Sequence, residues 1–287
     1  MNKIATPKNT KEMVEKHGFH FSKSLGQNFL IDYNIIEKII QGSNITKEIN
    51  VIEVGPGIGS LTQGLSEAAK KVVAVEIDKK LIPMLADTLK GYENTKVINE
   101  DILKIDLHQL IAEEFDGGDI KVIGNLPYYI TTPIIMRFLE EKVPIQSITI
   151  MIQKEVADRM NAKPGKKDYG ALSVAVQYYC TTEIITIVPP SVFIPQPKVD
   201  SSVIKLNRLE EPKVKVASEK LFFGVVKDAF GKRRKTLLNA LSSGDLQLNK
   251  DMVRETLKEC SIDEKRRGET LSIEEFAAIT NRFAEKI

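Results

Sequence analysis

Glu53-Val54-Gly55-Pro56-Gly57-Ile58-Gly59 is the first run in this sequence whose residue types suit ligand chemistry. Glycines let a backbone turn sharply and approach a ligand without Cβ obstruction. No Gly-Lys-Ser/Thr follows, so the phosphate-loop pattern fails, and the third glycine of a dinucleotide fingerprint would fall at Ser60 or beyond. Glu76 lies about 20 residues past the loop, at the end of a predicted strand, where a carboxylate can accept both hydroxyls of a ribose. Asp101 ends the next predicted strand. Two acids would repel a pyrophosphate, so loop, Glu76 and Asp101 together suit a nucleoside that carries no phosphate. S-adenosylmethionine, whose sulfonium is cationic, is such a ligand.

Ile123-Gly124-Asn125-Leu126-Pro127-Tyr128-Tyr129 closes a further predicted strand at the mouth of the same crevice. An exocyclic adenine amine is a poor nucleophile because its lone pair is delocalised into the ring. Accepting hydrogen bonds from both of its N–H groups favours a pyramidal nitrogen and turns the lone pair toward an electrophile. The Asn125 side-chain oxygen and the Leu126 carbonyl suit that task, Pro127 fixes the turn, and Tyr128 can stack on an unpaired base. Methyl transfer from a sulfonium is an in-line displacement with an excellent leaving group, so positioning and electrostatics supply most of the acceleration. No strong general base is required.

Placing these groups together requires an open α/β sheet. Residues 50–54, 71–77, 95–99, 120–124 and 146–152 read as strands separated by helical stretches, which predicts βαβ units and a mainly parallel sheet covered on both faces. The runs 172–180 and 202–206 have no long helix between them and are expected to finish the sheet as an antiparallel pair. Beyond a charged segment at 208–218, helical patterns at 219–241, 251–260 and 273–283 predict a small second domain. The last opens with Ser272 and Glu275 at capping-box spacing. Leu221, Phe222, Val225, Phe276, Ile279 and Phe283 are its expected core. Residues 1–207 and 208–287 are thus the two expected domains.

The 287 residues carry 41 Lys plus Arg against 39 Asp plus Glu, a formal charge of +2 that rules out a uniformly basic coat. Any polyanion must meet a local patch. Residues 219–241 supply one, with six basic side chains against two acidic ones. Lys232, Arg233, Arg234 and Lys235 form its centre and are the candidate RNA contacts; residues 154–167 are a second basic candidate. Cys180 and Cys260 lack a CxxC partner, and His17 and His20 lack a third ligand, so neither a disulfide framework nor a metal is expected. With no run of 18 apolar residues and no apolar signal core, a cytoplasmic chain without a membrane partner is expected.

Beyond these separate signals, the order of motifs resembles the ribosomal RNA adenine N6,N6-dimethyltransferases over nearly the whole chain. The resemblance rests on residues 23–30 (Lys-Ser-Leu-Gly-Gln-Asn-Phe-Leu), the 53–59 loop, Val75-Glu76-Ile77-Asp78, Asp101 and Asn125 to Tyr129. It continues through residues 153–159, 193–201 and 230–237. The resemblance implies a Rossmann-like, S-adenosylmethionine-dependent methyltransferase domain followed by a small helical domain, with no metal. It also implies that residues 1–45 close over the donor, and that Asn28 and Leu30 join Gly55, Gly57, Glu76, Asp101 and Asn125 in holding it. Phe193, stiffened by the prolines after it, looks like the second wall of the base pocket. The implied substrate is a pair of adjacent adenosines in a hairpin loop near the 3′ end of 16S rRNA, on the small ribosomal subunit or its precursor. A monomer is expected, with a part in small-subunit biogenesis as well as catalysis. Three other readings compete: a macrolide-resistance enzyme acting on large-subunit rRNA, a DNA adenine methyltransferase, and a non-catalytic RNA-binding assembly factor. The 230–237 motif speaks against the first, the short C-terminal region against the second, and intact Asn125 and donor-site residues against the third.

Overall fold

A computed structural model describes residues 3–22, 26–126, 130–232 and 234–287. The chain forms two compact units, one of residues 1–157 with 183–208 and the other of residues 158–182 with 209–287.

The first unit contains helices α1 (Pro7–Lys16), α2 (Tyr33–Gly42), α3 (Ser60–Ala68), α4 (Ile82–Thr88), α5 (Leu107–Glu114) and α6 (Thr131–Glu140). Its strands are β1 (Phe29–Leu30), β2 (Asn50–Val54), β3 (Lys71–Glu76), β4 (Thr95–Asn99), β5 (Ile120–Asn125) and β6 (Ser147–Gln153). Helix α7 (Lys154–Asn161) and strand β7 (Cys180–Val188) straddle the limits of the unit, and β8 (Phe193–Ile194) and β9 (Ser201–Arg208) complete it. The seven-stranded sheet runs β4-β3-β2-β5-β6-β9-β7. Its first five strands are parallel, and β9 returns antiparallel to β6. All five residues of β2 are buried, as expected of a central strand covered on both faces. The strand order reverses beside β2, between β3 and β5, so a crevice opens there at the carboxyl ends of the strands.

The parallel strands lie where the β-branched runs predicted them. The run at 172–180 does not. Helix α8 (Ala171–Tyr179) occupies it, and the strand that flanks β9 begins only at Cys180. Local β propensity loses here to tertiary packing: Val174 and Tyr178, one helical turn apart, are both buried, and the Tyr178 ring packs 4.9 Å from that of Phe222. Ser173 anchors the first turn by accepting from the Gly170 N–H at 3.0 Å.

The second unit thus holds α8 together with α9 (Glu219–Gly231), α10 (Leu237–Leu241), α11 (Lys250–Glu259) and α12 (Ile273–Ala284). The single helical pattern at 219–241 is two helices, since α9 stops at Gly231 and α10 starts after Thr236. Phe222, Val225, Phe276, Ile279 and Phe283 form the expected core, with Leu221 only partly covered. The Ser272–Glu275 capping box is present, its side chains meeting backbone N–H groups at 3.2 and 2.8 Å.

Candidate active site

The cleft at the strand reversal is formed within the first unit alone. On its floor the glycine loop leaves β2 with Gly55, Gly57 and Gly59 at φ of +69°, +61° and +89°, backbone states that L side chains rarely adopt. At Gly57 a Cβ would also press on the Phe29 ring at 3.2 Å.

Glu76 closes β3 and aims into this loop. Its Oε2 accepts from the Gly57 N–H at 3.1 Å and its Oε1 from the Asp78 N–H at 2.8 Å. Burial, opposed by these hydrogen bonds, pushes its carboxyl up to about 7. Glu53 on β2 is 1% exposed; burial, with the nearby Glu76 charge adding to it, pushes its carboxyl up to about 8. Among the described residues neither its Oε2 nor the Ser60 hydroxyl, both buried, meets a hydrogen-bond partner, and both residues line the cleft. Sequence reasoning treated Glu53 only as the border of the glycine loop and missed Ser60. The signal was an acid among the valines and isoleucine of a central strand.

Asp101 lies two residues past β4, where its Oδ1 accepts from the Leu103 N–H at 3.0 Å. The loop that carries it is held from α6, whose Arg137 donates to the carbonyls of Ile102 and Ile105 at 2.5 and 2.6 Å.

Asn125 ends β5 opposite Met151 of β6. Its Nδ2 donates to the Asn28 carbonyl at 3.1 Å, while no donor among the described residues meets its Oδ1. The next residue, Leu126, is tied to the sheet by its N–H, 3.3 Å from the Met151 carbonyl. Residues 127–129, including Pro127 and Tyr128, lie outside the described residues.

The rim is a two-stranded antiparallel ribbon that pairs Leu30 with Phe193 and Phe29 with Ile194. It brings Asn28, Leu30 and Phe193 to the cleft from segments far apart in sequence. Phe19, Phe21 and Phe29 pack ring against ring beneath it, with centroids 5.2–5.8 Å apart. Every expected donor-side residue joins Asn125, Leu126 and Phe193 on this one cleft. Two buried acids and an unpartnered hydroxyl beside left-handed glycines fit a polar, cation-bearing ligand such as S-adenosylmethionine.

The candidate RNA contacts belong to the second unit. Arg234 and Lys235 are exposed, and Arg233 lies outside the described residues. Lys232 is exposed but engaged, its Nζ donating to the carbonyl and hydroxyl of Ser243 at 2.9 Å each. In the other basic stretch Lys163 and Lys166 are exposed. Among the described residues no group of three or more His, Cys, Asp or Glu side chains is arranged to hold a metal ion, and no helix is long and apolar enough to cross a membrane. His17 instead meets Asp87 at 2.8 Å.

Comparison with known proteins places these features in a family. The model described as "Ribosomal RNA adenine dimethylase" matches residues 18–285. A protein of Alkaliphilus oremlandii named "Ribosomal RNA small subunit methyltransferase A" is 65% identical over 287 residues, covering 100% of both chains. One of Clostridioides difficile with the same name is 58% identical, covering 100% of this chain and 99% of the relative. Among solved structures, a dimethyladenosine transferase from Plasmodium falciparum superposes with a TM-score of 0.76 at 26% identity, over 90% of this chain and 98% of that one. The 23S rRNA methyltransferase ErmE superposes with a TM-score of 0.67 at 25% identity, over 89% of this chain and 99% of that one.

Proposed function

The chain belongs to the ribosomal RNA adenine dimethylase family, and we infer from that membership that it transfers methyl groups from S-adenosylmethionine to N6 of two adjacent adenosines near the 3′ end of 16S rRNA. The product is a pair of N6,N6-dimethyladenosines, made on the small ribosomal subunit or its precursor by a cytoplasmic monomer that also takes part in small-subunit biogenesis. The observation that carries this reading is the convergence of Glu76, Asp101 and Asn125 on one cleft, with Asn125 held at its nitrogen end and its oxygen met by no donor among the described residues.

S-adenosylmethionine, when bound, supplies a methyl group on an electrophilic sulfonium. Glu76, fixed by two backbone N–H groups, takes the ribose hydroxyls, and Asp101 takes the adenine end. Gly55 and Gly57 let the backbone approach the donor, and Asn28 and Leu30 close over it. Glu53 and Ser60 offer unpaired polar atoms to its charged amino-acid end. On the acceptor side, Asn125 Oδ1 and the Leu126 carbonyl accept the two N–H groups of the target amine and turn its lone pair away from the ring. Pro127 shapes that turn, Tyr128 stacks on the base, and the Phe193 ring closes the other wall. Buried as it is, Phe193 suits a firm wall rather than a mobile cover. The proton leaves to water once the nitrogen has become cationic, so no side chain is asked to act as a strong base. Lys232, Arg233, Arg234 and Lys235 contact the RNA backbone.

Labelled methyl transfer tests this. Small subunits lacking the modification should take up label, whereas large subunits and DNA should not, and Asn125→Ala should abolish transfer while retaining RNA binding. Label on large-subunit RNA or DNA and none on small subunits would reject the assignment.

A further inference from the structure

Two consecutive residues of the N-terminal segment reach opposite sides of the cleft. The Gln27 amide donates from Nε2 to Asp78 Oδ2 at 2.7 Å, and its Oε1 accepts from the Ser22 N–H at 2.8 Å. Asp78 is the residue whose N–H, 2.8 Å from Oε1, helps fix Glu76. One residue further on, the Asn28 carbonyl accepts from Asn125 Nδ2 at 3.1 Å. The chain then enters β1, paired with β8 and backed by the phenylalanine cluster. A single short segment therefore spans from the carboxylate on one wall to the amide on the other.

The two ends of an amide side chain are alike in shape and opposite in hydrogen-bonding role. If Asn125 flipped, its NH₂ would face an amine that offers only N–H groups. A carbonyl at Asn28 makes that flip costly, because it would face the amide oxygen. The bias lasts only while residue 28 stays in place, and Gln27 is the side chain that latches it.

We propose that Gln27 is a positioning residue of the transferase site: latched on Asp78, it holds the Asn28 carbonyl against Asn125 and so keeps the Asn125 oxygen turned toward the incoming amine. The inference rests on the functional reading above in taking Asn125 as the acceptor of the amine.

Gln27→Glu, in the full-length protein, sets a second carboxylate against Asp78 while keeping the acceptor for Ser22. Adding Asp78→Asn restores a donor–acceptor pair, and an asparagine oxygen there still caps the Lys80 N–H as Asp78 Oδ1 does at 3.0 Å. With unmodified small subunits, the single variant should lose roughly tenfold or more in kcat with KM for the subunit nearly unchanged, because a misplacement of about 1 Å can cost 10²-fold. Amide hydrogen exchange in residues 26–31 should quicken, and calorimetry with S-adenosylhomocysteine should read weaker binding. The double variant should recover all three. Unchanged kcat and exchange in the single variant, or a double variant as impaired as the single one, overturns the latch. So does a loss of kcat that merely follows the folded fraction. If small subunits accept no label from the unmodified protein, the functional reading falls, while exchange and calorimetry still read the latch.

Discussion

Glu76 and Glu53 face one cleft, and burial holds both protonated into the neutral range, at about 7 and about 8. A carboxylate must be ionised to accept both hydroxyls of a ribose, so donor affinity should weaken as pH falls below about 7. Glu76→Gln should bind the donor more weakly at pH 8 and lose that pH dependence, as calorimetry across the range would read. Stability runs the other way. Both carboxyls hold their protons more tightly in the folded chain than at the usual 4.5, so the folded state binds more protons and stability falls as pH rises from about 4.5 to 8. Glu53→Gln, neutral throughout, should raise the melting temperature of the ligand-free protein at pH 8 more than at pH 5, by roughly 2–4 °C per kcal/mol recovered. An equal effect at both pH values would mean that Glu53 is not carrying this strain. Glu76, Asp101 and Asn125 were legible in the sequence because each sits at or just past a strand end, where an open sheet aims its side chains. Glu53 was harder to read, because its significance lies in how completely β2 is covered.

Helix α6 has a second task besides roofing the sheet. Its Arg137 holds two carbonyls of the loop that carries Asp101, and its first turns supply Ile134 to the cleft. Arg137→Leu leaves those carbonyls unpaired and frees the loop, so KM for the donor should rise about tenfold at little cost in kcat, with roughly 1–3 kcal/mol lost in stability. Arg137→Lys should recover part of it. Steady-state kinetics decide, since a fall in kcat with unchanged donor KM would mean the helix aligns the catalytic turn rather than the loop. At this scale the inner parallel strands were legible, because a strand buried on both faces reads as a β-branched run. The same logic misled at 172–180, where valines and tyrosines that look extended are buried around α8. The break between α9 and α10 was hidden too, since the apolar spacing continues past Gly231.

Across the whole molecule, a formal charge of +2 hides a local excess on residues 219–241, most of it on exposed side chains. Among the described residues two of these cations are engaged, Lys227 with Asp245 at 2.7 Å and Lys232 with Ser243. Arg234 and Lys235 are thus the sharper test. Arg234→Ala with Lys235→Ala should weaken RNA binding and flatten the dependence of log affinity on log salt by roughly 1 per residue, leaving donor affinity unchanged. An unaltered slope would remove them from the interface. The break near residue 208 was visible as a shift in composition, but the segment 158–182 was not separable by pattern, because its membership is decided by contacts such as Tyr178 with Phe222. That excursion bears on how the protein is made. During synthesis α8 emerges well before α9, and β6 and β7 emerge before the β9 strand that inserts between them. The first unit cannot finish before residue 208, by which point the second has already begun, and a nascent chain halted between β7 and β9 would expose an unfilled slot in the sheet and an uncovered tyrosine face at once.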